Sequence, residues 1–159
     1  EIAGMFDGGM RVQMVGNEVG AASAMKMLLS GVSKGVCALF VELALLAQRQ
    51  EMLPELNDAM ARIYPGIWAL VERMVPTYVQ HAGRRATEMG ELEQTFHAAG
   101  LAPQVIAGVC GLHEILAGVS WDTAPEARGW TAAGLVRELA SKQLLTAEAL
   151  ATEETDTGV

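Results

Sequence analysis

Hydrophobic and polar positions separate most sharply at residues 16–50, a proline-free stretch whose pattern predicts one long helix. Between Val19 and Val41 the only polar side chains are Ser23, Lys26, Ser30, Ser33 and Lys34. At about 100° per residue these five fall within an arc of roughly 100°. The remaining positions are Val, Ala, Met, Leu, Cys, Phe or Gly. A helix apolar nearly all round is expected to be buried, with its polar stripe on a cleft. A lysine on such a helix is costly unless it meets a partner or water. Gly20, Gly31 and Gly35 lie on a neighbouring side, where close approach of another backbone is expected. The alternative is that Ser33 and Lys34 reach water while Lys26 pairs with a structural carboxylate.

The rest of the chain reads as shorter helices. Pro54 or Glu55 opens one that runs to about Tyr64. Pro65-Gly66 reads as a turn, and Ile67–Met74 as a second short helix, ended by Pro76. Thr77–Ala99 carries Val79, Ala82, Ala86, Met89, Leu92 and Phe96 on one face. His81, Arg84, Glu88 and Glu91 oppose them, Arg85 is at the border, and Glu93 lies within the apolar arc, where it needs a partner or water. Pairs such as Arg84 with Glu88 are also what an ordinary solvated face shows. Gly100 and Pro103 close this element. Gln104–Val119 is nearly all apolar, with His113 read as a core residue. Ser120–Pro125 reads as a loop, and a last helix begins at Trp130 and reaches Leu150, with a break near Thr146. Before the long helix, Arg11–Val15 alternates as a strand does. With no partner strand in the chain, it suggests that residues 1–15 end a preceding domain. The body is then 16–150, and 151–159 form an acidic tail expected to be disordered.

Composition narrows the choices. The 159 residues suit one helical domain with a substantial core. Hydrophobic residues make up 51 %, which suggests apolar surface buried against another chain or domain. The net charge of −8 argues against nucleic acid and against an anionic membrane surface as partners. Cys37 and Cys110 lie in apolar helical runs and read as buried reduced thiols. No metal-ligand spacing, secretory leader, Walker-type loop or Gly-x-Gly-x-x-Gly fingerprint appears. These features point to a cytoplasmic protein.

The run Val15-Gly16-Asn17-Glu18-Val19-Gly20-Ala21-Ala22-Ser23-Ala24-Met25-Lys26-Met27 resembles the start of a known helical domain. That domain is the C-terminal domain of the β-hydroxyacid and 6-phosphogluconate dehydrogenase superfamily, in its phosphogluconate-dehydrogenase-like branch. His81-Ala82-Gly83-Arg84-Arg85-Ala86-Thr87-Glu88-Met89 is similar to a second segment of the same domain, and the resemblance covers about 11–120. Two positions depart from the family pattern. Its second glycine is Ala22 here, and the asparagine one turn after the lysine is Ser30, a hydroxyl in place of an amide.

The resemblance implies an all-α fold around one long central helix, packed into an intertwined homodimer. It implies Lys26 as general acid/base and Gly20 as the turn glycine on the cofactor side. Ser23, Ser30, Ser33, Lys34 and Arg84 or Arg85 would bind a small hydroxy acid, with the arginine offering fork geometry to a carboxylate or phosphate. NAD or NADP would be held mainly by a Rossmann domain preceding this chain, which alone would be inactive. Two other classes remain open. One is a stand-alone helical dimer that binds a small molecule or protein without redox chemistry. The other is a non-redox enzyme using Lys26 through a Schiff base with a carbonyl substrate, which borohydride trapping would reveal, or by proton transfer.

Overall fold

The computed structural model describes residues 15–121 and 129–146. The strand pattern at 11–15, apart from Val15, the end of the loop at 122–125, and the acidic tail lie outside them. Six α-helices follow in order: α1 (Ala21–Arg49), α2 (Leu53–Ile63), α3 (Pro65–Met74), α4 (Ala82–Ala98), α5 (Val105–Gly118) and α6 (Ala132–Ser141). The described residues contain no strand, so the fold is all-α as expected. The 29-residue α1 is the hub, touching each of the other five α-helices, and α4 packs broadly against α5.

Local chemistry accounts for most boundaries. Gly20 caps α1 at φ +93°, a left-handed conformation that a side chain would strain, although a Cβ there would meet nothing. Gly31 has the opposite reason, since a Cβ would lie 2.6 Å from Leu92 Cδ2 of α4. Close approach at this glycine is therefore to a side chain rather than to a backbone. Pro65-Gly66 is the first turn of α3 rather than a separate turn, because proline at the first helical positions gives up no intrahelical hydrogen bond. The helix expected from Thr77 begins only at Ala82, after two 3₁₀ turns at Val75–Thr77 and Val79–His81. Past α4, Leu101 N–H donates to Phe96 O and Gly100 N–H to His97 O. These bonds satisfy the helix end in a Schellman arrangement. Thr131 Oγ1 accepts from Gly134 N–H at 3.1 Å and caps α6, which stops at Ser141, five residues before the expected break near Thr146; the stretch expected from there to Leu150 lies outside the described residues.

The core is built from one side of α1. Cys37, Val41 and Ala44 are fully buried against Leu53, Val71, Tyr78, Leu116 and Leu135. This side continues, one to three turns C-terminally, the arc that carries the polar stripe. The stripe therefore faces the other helices, as a cleft requires. Burial all round does not hold. Leu28, Leu29, Val32, Leu39, Leu43 and Leu46 are exposed, at 50–64 % of their surface. By composition and length, α1 passes for a membrane span (mean hydropathy 1.7 over its best 18 residues), although 44 % of that window is buried within the chain.

Candidate functional site

Two segments far apart in sequence meet beside the N-terminal half of α1. Ser23, Lys26, Met27, Ser30 and Lys34 of α1 face Arg84, Glu88 and Glu91 of α4 across a cleft of about 410 Å³. α1 contributes through its polar stripe, which repeats every three to four residues. α4 contributes through the face opposite its buried Ala82, Met89 and Leu92.

Glu88 organises the cleft. Its Oε2 lies 2.5 Å from Lys34 Nζ and accepts from Ser30 Oγ at 3.5 Å, while Arg84 pairs with its Oε1. Lys34 also donates to Ser30 Oγ. Partial burial pushes the Glu88 carboxyl up. The hydrogen bond and charge of Lys34, with Arg84 adding to both, outweigh that push and hold it below its ordinary value. Lys34 is 5 % exposed. The buried lysine of α1 thus has its carboxylate partner, and the one so paired is Lys34, not Lys26.

Lys26 is exposed and has no ion pair among the described residues. It lines the cleft on one side and, on the other, an apolar recess formed with Val15, Ala22, Met25 and Leu29. The described residues do not supply the burial that a lysine base needs.

Two expected binding residues lie elsewhere. Ser33 turns its hydroxyl back on its own helix, donating to Leu29 O and Ser30 O, both at 3.1 Å. Arg85 is 4 % exposed and lies in the core. Its guanidinium sits 4.7 Å from the centroid of the Tyr78 ring, and Nη1 donates to Tyr78 O at 3.5 Å. The reason is angular, since Arg85 shares the arc of Ala82, Met89 and Leu92 while Arg84 points about 100° away. The open question of which arginine reaches the cleft is answered by Arg84. Gly20 forms the left-handed entry to α1 and lines neither space.

Behind the cleft lies a buried polar cluster. Tyr78, fully buried, donates its hydroxyl to Lys34 O at 3.3 Å and stacks obliquely on His113 at 4.9 Å. His113 is 0 % exposed, and its Nδ1 lies 2.7 Å from Val109 O, with Nε2 unpartnered among the described residues. Cys37 and Cys110 are free and buried, as expected, and burial pushes the Cys37 thiol up to about 11. Glu93 is half-buried and open to water, with His97 Nε2 3.8 Å from its Oε1.

Glu88 and Glu91 were absent from the expected site. A buried lysine demands a carboxylate, and Glu88 lies one turn from Arg84, but the link across 54 positions from Lys34 has no local sequence mark.

A family profile described as a domain of unknown function, DUF1932, matches residues 47–116, from the end of α1 into α5. That domain occurs C-terminal to NAD-binding Rossmann domains of the 3-hydroxyisobutyrate and 6-phosphogluconate dehydrogenase kind. The match takes in Arg84, Glu88 and Glu91 but not Lys26. The crystal structure of a conserved hypothetical protein from Sinorhizobium meliloti 1021 is similar, with a TM-score of 0.67 and 28 % identity over 84 % of this chain. This chain covers 45 % of that protein, less than half its length. No curated protein matches.

Proposed function

We propose that the chain is the substrate-binding and dimerisation domain of an NAD(P)-dependent oxidoreductase acting on a small hydroxy acid. The observation that carries this reading is the cleft, which gathers Ser23, Lys26, Ser30, Lys34 and Arg84 from α1 and α4 and leaves Lys26 unpaired at its edge. The domain matched over 47–116, with its association with dehydrogenase-like proteins, supports it.

The fit to a nicotinamide cofactor is partial. The recess of Val15, Ala22, Met25 and Leu29 beside Lys26 suits a flat, weakly polar ring. No phosphate cradle lies among the described residues, so the rest of the dinucleotide falls to another domain. The nicotinamide, when bound, supplies hydride exchange. Lys26 Nζ takes the proton of the substrate hydroxyl in oxidation and returns it in reduction, while Ser23 and Ser30 orient that hydroxyl. Because Lys26 is open to solvent in this chain, its removal from water is assigned to a second domain closing over the N-terminal turns of α1.

In the protein that carries this chain, Lys26→Ala is expected to lower turnover by about 10²–10⁴, the usual contribution of a positioned acid/base. Sedimentation should show an unchanged oligomer. Turnover within about tenfold of the parent, a barrier change near 1.4 kcal/mol, overturns the assignment.

A further inference from the structure

The charges of the cleft are nearly matched. Lys26, Lys34 and Arg84 face Glu88 and Glu91, leaving one positive charge in a chain of net charge −8. The matching is not diffuse, because one carboxylate, Glu88, engages both Lys34 and Arg84. Lys34 cannot turn away from it without losing both Ser30 and Glu88 inside a 5 %-exposed position. Arg84 is on the open side of the same carboxylate.

We propose that Glu88 is a specificity-determining residue: by occupying Lys34 and Arg84 it leaves Lys26, in the protonated form that returns its proton in reduction, as the free cation of the cleft, which then accepts monoanions and rejects dianions. This rests on the reading of the cleft as a substrate site, and it narrows the substrate to an acid with one carboxylate and no phosphate. The physical basis is that a fixed charge acts on a dianion twice as strongly as on a monoanion. A unit charge about 4 Å away in water changes affinity roughly fivefold. Deleting Glu88's charge therefore strengthens a monoanion about fivefold and a dianion about 25-fold, shifting selectivity about fivefold.

The test is titration of the chain with acetate and with sulfate, followed by the NMR shifts of the Lys26 and Arg84 side chains. In E88Q the sulfate-to-acetate affinity ratio should rise about fivefold. E91Q removes a carboxylate that engages neither Lys34 nor Arg84 and stands exposed at the rim of the cleft, where solvent ions screen its field, and should change the ratio less than twofold. R84Q, at an exposed side chain whose loss leaves the core intact, should lower the ratio about fivefold by leaving Glu88 half-unpaired. A ratio within twofold of the parent in either E88Q or R84Q overturns the filter, as does an E91Q effect equal to that of E88Q. Absence of any shift at Lys26 with both anions overturns it too. Turnover distinguishes the two ideas: a ratio unmoved in E88Q beside inactive Lys26→Ala sinks the filter alone, whereas active Lys26→Ala sinks the dehydrogenase reading.

Discussion

At the scale of single residues, the buried polar groups decide how the site is held. His113 illustrates the balance. Burial lowers its pKa to about 4, helped by the charges of Arg85 and Lys34, and opposed by the hydrogen bond to Val109 and by Glu88. The folded state thus binds the proton less tightly than the unfolded chain, whose histidine titrates near 6.5. The stabilising effect of keeping His113 neutral is complete above about pH 6.5 and is lost as pH falls towards 4. A depression of this size corresponds to about 3 kcal/mol across that window. Denaturant unfolding of the parent and of His113→Phe at pH 7 and pH 4.5 should show a smaller loss with acid in the variant. Equal losses would mean that His113 is not the acid-sensitive group. The residue scale was also the least legible in the sequence. Lys34 and Lys26 look alike on a wheel, yet one is clamped and the other free, because the clamp comes from α4. Arg85 looked like a border residue, but stacking on Tyr78 drew its guanidinium into the core, which a polarity pattern does not foresee.

At the scale of elements, periodicity served well wherever a helix had one wet side. α2, α3, α4 and α5 lie close to where their patterns put them, and the exceptions have local causes. Proline was admitted at the start of α3, and the chain tightened into 3₁₀ turns around Pro76. α1 differs because composition cannot tell burial by its own chain from burial by a partner. Met25, Leu29, Val32, Val36, Leu39, Leu43 and Leu46 recur at alternating steps of four and three, the spacing of a coiled-coil seam. All are exposed or half-exposed here. The proposed homodimer gives this seam its natural cover, a second α1 packed along it. Leu39→Glu should shift sedimentation towards the monomer and leave the circular dichroism of the isolated chain near that of the parent. A dimer of unchanged strength would place the interface on another face.

For the whole molecule, the architecture is asymmetric along α1. Its C-terminal half packs on α3 through Phe40 and Trp68 and shares a recess with α6, whereas none of its first ten residues is buried. Local opening follows such differences in burial. Hydrogen exchange on the chain should find the amides of 37–45 among the slowest and those of 21–29 among the fast. Assembly with a nucleotide-binding domain should slow the second group selectively. Uniform protection along α1 in the isolated chain would contradict this division. The all-α class was readable because the pattern of apolar positions is a property of the chain itself. Whether the open end of α1 is covered, and by what, is not a property of the apolar pattern.

The length of α1 has one more consequence, for the moment of synthesis. A 29-residue apolar helix resembles the segments that the membrane-insertion machinery accepts. Lys34 stands near its midpoint, where a cation raises the cost of insertion by about 2.5–3.5 kcal/mol, and Lys26 adds a smaller term nearer the end. The two ammonium groups that furnish the cleft thus also bias the nascent helix away from the lipid bilayer. Replacing both for the sake of chemistry would remove a sorting signal as well as a site.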